Sequence, residues 1–270
     1  MQHLSATELE NAATFYEKLM VPALFAPWAQ TLLETAGFTP GHRLADIACG
    51  TGIVARTAMQ QADDSDESVV GLDANPGMLS VARGLAPRID WREGVAEQLP
   101  FDNESFDTVV SQFGLMFFED RHAALREMRR VVAPGGRLVV AVFHDLSNVP
   151  GYSAMTDILD DVAGPDVASA LQMPFSLGDA RQLGSLCAEA GLSGAEIKTL
   201  HGTARFSDAR TMVLADVQGW FPLAGISLSE KQIDEIVERL DNTLANYRAS
   251  DGSLSFPLPA HLIVVKAQGQ

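Results

Sequence analysis

One stretch, Leu44-Ala45-Asp46-Ile47-Ala48-Cys49-Gly50-Thr51-Gly52, constrains the fold more than any other part of the chain. It reads as a short apolar strand, an acidic residue and a loop of small residues with two glycines. An apolar helical run, residues 53–59, follows at once. A turn stripped of side chains lets a ligand lie against backbone N–H groups at a helix start. A dinucleotide fingerprint calls for three glycines as G-x-G-x-x-G, and the third position here is Ala55. An acid just before the glycines repels a pyrophosphate and suits a cationic ligand such as an aminoacyl sulfonium. Alone, the stretch also fits any buried strand that ends in a glycine turn.

The second strand sharpens the first. After an acidic, surface-like run (Asp63, Asp64, Ser65, Asp66, Glu67) comes Val69-Val70-Gly71-Leu72-Asp73, which places Asp73 21 positions after Gly52. A doubly wound sheet puts its ribose-binding acid at this spacing. Two carboxylate oxygens can accept from two hydroxyls, whereas Asn offers one acceptor. Ala74-Asn75-Pro76 then opens a helix, with Pro where a missing N–H costs little. Trp91-Arg92-Glu93-Gly94-Val95-Ala96-Glu97 reads as a short strand and a loop in which Ala96 leaves room for a flat ring. Residues 105–111 read as a buried strand entered through a turn.

These stretches, with Met78-Leu79, Leu99-Pro100-Phe101, Ser105-Phe106-Asp107 and Val132-Ala133-Pro134-Gly135-Gly136-Arg137-Leu138, cover roughly residues 40–145 in order. The pattern resembles class I S-adenosylmethionine-dependent methyltransferases, near the ubiquinone/menaquinone C-methyltransferase-like group. The resemblance implies S-adenosyl-L-methionine as cofactor and S-adenosyl-L-homocysteine as product. It implies that Asp46, Ala48, Cys49, Gly50 and Gly52 surround the methionine part, with Tyr16 covering the amino-acid end. Asp73, Ala74 and Met78 would hold the ribose side, and Gly94, Val95, Ala96 and Glu97 the adenine. Ser111 and Gln112 would lie beside the sulfonium. Val95 departs from the pattern, because many relatives carry Asp there.

The fold expected is α/β: a Rossmann-like, doubly wound, seven-stranded sheet, mostly parallel with the last strand antiparallel, and with helical cap insertions. Residues 1–38 form a helical segment over the cofactor site, with helices across 8–37 broken by Pro22. Residues 39–149 form the cofactor-binding core, with Gly135-Gly136 as the turn into a buried strand at 137–143. Residues 150–270 complete the sheet, with a helix ending at Gly191, one strand from about Ala195 to Phe206 and a last one at 261–266. In the minimal fold that the resemblance implies, the last two strands are a near-hairpin. Here about 50 residues separate them, and connections that long usually have a purpose. Helical insertions near 150–175 and 207–250 are therefore read as a substrate lid, with simple packing decoration or a homodimer contact as the competing roles.

Composition narrows the partners. The formal charge of −16 disfavours nucleic acid, whose binding rests on phosphate neutralisation. No apolar run reaches the roughly 20 residues of a membrane span. The N-terminus Met1-Gln2-His3-Leu4-Ser5 shows no export signal, and two cysteines make no disulfide framework, so a cytoplasmic setting is expected. No CxxC, HExxH or carboxylate array suggests a metal. The acceptor is expected to be a small molecule, quinone-like, aromatic or another secondary metabolite, methylated at O, N or C. Phe113, Phe117, His144 and Tyr152 are assigned to its pocket. His144, at the end of a strand, is the candidate general base, and a rim histidine bonded locally is the competing reading. The alternative to an enzyme is a non-catalytic S-adenosylmethionine-binding regulatory or accessory protein, because fold does not fix function.

Overall fold

The computed structural model describes residues 4–61, 68–192 and 194–267. The acidic run at 63–67 and the first three residues, on which the export reading partly rests, lie outside the described residues. Seven strands make the main sheet: β1 (Leu44–Ile47), β2 (Val69–Asp73), β3 (Asp90–Glu93), β4 (Phe106–Gln112), β5 (Val132–Phe143), β6 (Glu196–Leu200) and β9 (Ala260–Lys266). Their order is β3-β2-β1-β4-β5-β9-β6. β9 runs antiparallel to both β5 and β6, and the remaining pairs are parallel. The expected doubly wound sheet is therefore present. Chain order reverses between β1 and β4, so a crevice opens at their carboxyl ends. The 138–143 part of β5 is buried throughout, which is why it reads as an unbroken apolar run, whereas the equally buried β1 carries one acid, Asp46.

Three sequence expectations need correcting. Pro22 does not break the leading helix. α1 (Ala6–Phe15), capped by the reciprocal Ser5–Glu8 pair, continues through a π-helical stretch, Tyr16–Phe25, into α2 (Ala26–Ala36). The wider π turn removes the carbonyl that a proline ring would strike in an α-helix. Pro134-Gly135-Gly136 is not a separate turn but a bulge within β5. Phe106 pairs with Val132 and Thr108 with Arg137, and Gly135 takes a φ of 81° between them. The strand expected at 195–206 divides at His201-Gly202. Its second half, β7 (Thr203–Phe206), pairs with β8 (Leu254–Pro257) in a separate two-stranded ribbon. Gly202 lies against the Trp28 ring, where an added Cβ would stand 2.4 Å from Cζ2.

The remaining helices are α3 (Ile53–Gln61), α4 (Pro76–Leu85), α5 (Arg121–Arg130) and α8 (Ala180–Glu189) in the core, and α6, α7, α9 and α10 in the insertions. The first insertion holds α6 (Pro150–Ala163), α7 (Pro165–Gln172) and a short turn, Met173–Phe175. The second holds α9 (Ala209–Ala215), a π turn at Asp216–Trp220, a 3-10 turn at Phe221–Ala224 and α10 (Glu230–Thr243). α10 packs on α6 and α9, so the two insertions form one body continuous with the core. Among the described residues no helix is long and apolar enough to cross a membrane.

Candidate cofactor and acceptor site

Two strained turns stand side by side at the carboxyl ends of β1 and β4. Ala48 and Phe113 both have φ of 56°, a region that side chains disfavour by roughly 1–3 kcal/mol. Gly114 lets them meet, because a Cβ there would stand 2.7 Å from that of Ala48. Asp73 fixes the first loop from the end of β2. Its Oδ2 accepts from the Gly50 N–H at 2.7 Å and its Oδ1 from the Asn75 N–H at 2.8 Å. Burial pushes its pKa up against those bonds. A carboxylate offers about four acceptor positions, so roughly two remain for a ligand.

These turns border a cavity of about 770 Å³. Its core wall includes Tyr16, Ala48, Gly50, Asp73, Ala74 and Met78 from the residues assigned to the cofactor. Gly94, Val95, Ala96, Glu97 and Gln112 continue that wall. Tyr16 stacks on Phe25 at 5.0 Å beside Gly50. Glu97 Oε1 accepts from the Glu119 N–H at 2.9 Å and ties the Gly94–Glu97 loop to the approach of α5. Gln112 donates to the Phe25 carbonyl at 3.1 Å, while its Oε1 is buried without a partner.

Four of the assigned residues lie behind this wall rather than on it. Asp46 is buried under the loop, where its Oδ2 accepts from the Ala55 N–H at 3.0 Å near the start of α3. Burial pushes its pKa up to about 7, and its Oδ1 has no partner. Gly52 serves packing, since a Cβ there would stand 2.1 Å from the Trp91 ring. Cys49 and Ser111 are likewise buried off the cavity.

The acceptor side is aromatic. Phe113 stacks on Phe143 with ring centroids 3.9 Å apart, and Phe117 meets Trp220 at 5.1 Å. The insertions supply Tyr152, Leu171, Phe175, Asp216, Trp220 and Leu223 to the same cavity. His144 is a correction. Phe143, the last residue of β5, lines the cavity, and His144 follows the end of the strand. The His144 ring lies instead against His261 at 4.4 Å, and His144 is not part of the cavity wall. His261 is itself held by the Gly178 carbonyl and Thr199.

Sequence reasoning missed Asp216, Phe143, Phe175 and Trp220. Asp216 did carry a signal, as an acid in the apolar run Met212-Val213-Leu214-Ala215-Asp216-Val217. No Lys, Arg or His lines the cavity among the described residues, whereas Asp73, Glu97, Glu119, Asp120 and Asp216 do. That charge balance suits a cationic ligand and opposes an anionic one.

Residues 45–140 match a family model described as a methyltransferase domain. A demethylmenaquinone methyltransferase of Renibacterium salmoninarum is 39% identical over 132 residues, which are 49% of this chain and 54% of that protein. The ubiquinone/menaquinone biosynthesis C-methyltransferase UbiE of Xanthomonas campestris pv. campestris is 38% identical over 135 residues, 48% of this chain and 53% of that one. The chain thus spans about half the length of the curated relatives it matches. Among solved structures, phosphoethanolamine N-methyltransferase 2 of Haemonchus contortus, in complex with phosphomonomethylethanolamine and S-adenosylhomocysteine, has a TM-score of 0.60 at 17% identity. That likeness covers 100% of this chain and 61% of that one. YcgJ of Bacillus subtilis has a TM-score of 0.57 at 19% identity, over 90% of this chain and 98% of that one. At these identities the structural likeness concerns the fold.

Proposed function

We propose that residues 45–140, which match a methyltransferase domain model, form a class I S-adenosylmethionine-dependent methyltransferase domain of the ubiquinone/menaquinone C-methyltransferase-like group. The function is transfer of a methyl group to O, N or C of a small, flat, largely apolar acceptor by in-line substitution. The observation that carries it is one cavity in which a glycine loop and carboxylates meet an aromatic wall at Ala48 and Phe113.

The residues present fit the cofactor. Among the described residues the cavity bears acids and no basic side chain, Gly50 presents bare backbone, and Asp73 retains acceptor capacity for a ribose. Ala96 leaves space for adenine, and the hydrogen bond that an acid at Val95 would make has to come from backbone. When bound, S-adenosylmethionine supplies an electrophilic methyl carbon on a positive sulfur. The protein's share is orientation and exclusion of water. Phe113, Phe143 and Phe175 present flat apolar faces for the acceptor, and the two insertions act as its lid.

Calorimetry with S-adenosylhomocysteine, followed by methyl transfer to a panel of aromatic and polar small molecules, tests the reading. Saturable binding and a methylated aromatic product are expected. A chain that binds neither S-adenosylmethionine nor S-adenosylhomocysteine refutes it.

A further inference from the structure

The cavity wall built by the insertions is apolar except at two side chains with unpartnered polar atoms. Tyr152 is 3% exposed and Asp216 2%, and both line the cavity. Neither Tyr152 Oη nor Asp216 Oδ2 has a hydrogen-bond partner. The third polar group on this wall, the Trp220 indole N–H, already donates to the Ala170 carbonyl at 3.1 Å. A buried oxygen without a geometric hydrogen bond destabilises a fold, and beside the Asp216 carboxyl only the Tyr152 hydroxyl counters its burial. Burial pushes the Asp216 pKa up to about 7, with the neighbouring Tyr152 hydroxyl pulling the other way. The same burial, with the Asp216 charge beside it, holds the Tyr152 hydroxyl protonated.

We propose that Tyr152 and Asp216 grip one hydroxyl of an aromatic acceptor, and that Asp216 takes its proton as the methyl group is transferred. The inference rests on the methyl-transfer reading above. The two groups complement a hydroxyl in both directions: Asp216 accepts from the acceptor O–H, and Tyr152 donates to the acceptor oxygen. An ammonium would satisfy Asp216 but leave Tyr152 without an acceptor, and its nitrogen has no free pair to attack with. A carboxylate or phosphate would meet Asp216, Glu119 and Asp120 with no basic side chain to receive it. The aromatic pairs Phe113–Phe143 and Tyr152–Phe175 fit a flat body for the molecule.

The step balances. The acceptor O–H bond breaks and its proton passes to the Asp216 carboxylate. The electron pair left on oxygen forms the bond to the methyl carbon. The carbon–sulfur bond breaks with its pair on sulfur, which becomes neutral. The new carboxylic acid returns its proton to water when product leaves.

The test uses the full chain loaded with S-adenosylhomocysteine and two probes of similar shape, 1-naphthol and 1-methylnaphthalene. Calorimetry is expected to show about a tenfold preference for the naphthol in the wild type, lost in both Asp216→Asn and Tyr152→Phe. Methyl transfer to 1-naphthol from S-adenosylmethionine should fall at least about a hundredfold in Asp216→Asn. Affinity for S-adenosylhomocysteine should be retained and the melting temperature should not fall, because the Asn variant loses an unpaired charge and keeps its volume. Tyr152→Phe gives a second readout that leaves the acid in place. Absence of a hydroxyl preference in the wild type, or an unaltered preference in both variants, overturns the inference. If the wild type binds no S-adenosylhomocysteine, the methyl-transfer reading has failed and this one falls with it. If it binds and only the hydroxyl preference is missing, the inference alone fails.

Discussion

Asp46 and Asp216 are both carboxyls pushed up by burial to about 7 from an ordinary value of 3.8. Between those pH values the folded chain holds a proton at each site and the unfolded chain does not. Their stabilising share is therefore complete below about pH 4 and lost as pH rises through about 7, a change on the order of a few kcal/mol per group. Asp216→Asn does not titrate, so its melting temperature should rise relative to wild type between pH 5 and pH 8. Parallel melting curves across that range would count against a buried, titrating Asp216. At Asp73 the expected effect is on binding: Asp73→Ala should weaken S-adenosylhomocysteine affinity about tenfold or more, the value of hydrogen bonds to a charged group, with the far-ultraviolet spectrum unchanged. Gly52→Ala acts by packing. Its Cβ would meet the Trp91 ring at 2.1 Å from a φ of 84°, and about 2 kcal/mol, or roughly 5 °C in melting temperature, should be lost.

Among elements, the continuous helix from α1 through the π stretch into α2 brings Tyr16, Met20, Leu24 and Phe25 onto the cavity. α1 lies against α4 where Gly77 meets the Leu9 backbone, and a Cβ would stand 2.5 Å from the Leu9 carbonyl carbon. Gly77→Ala should push α1 outward, speed amide exchange over residues 6–15 and weaken S-adenosylhomocysteine binding several-fold. Gly84→Ala on the same helix meets nothing within 4 Å and should be neutral or stabilising by up to about 1 kcal/mol. If both variants exchange alike, the α1–α4 contact is not what holds the leading helix. β1, β2, β4 and β5 were legible because buried parallel strands need apolar residues on both faces. The π stretch was not, since hydropathy cannot distinguish a widened turn around Pro22 from a break. The division between β6 and β7 was hidden too, because it depends on the distant Trp28 ring. His144 could not be placed from sequence, because its ring direction is set by contact with His261 on the distant β9.

At the scale of the whole molecule, the core motif carries one wall of the cavity and the insertions the other. The core wall could be read at Gly50, Asp73 and Ala96 because a ligand pressed against backbone demands small residues and acids at fixed spacing. The insertion wall was harder to read, because the one signal there, Asp216 within an apolar run, does not say which cavity the packing of Met212, Val213 and Ala215 turns it toward. The family match ends at residue 140, and Tyr152, Phe175, Asp216 and Trp220 on the insertion side of the cavity lie beyond it. The central claim is that this cavity is an S-adenosylmethionine site. Titration of the wild-type chain with S-adenosylhomocysteine tests it most directly. Saturable binding of one molecule per chain, displaced by S-adenosylmethionine, is the predicted result; no heat and no rise in melting temperature at millimolar ligand would contradict it.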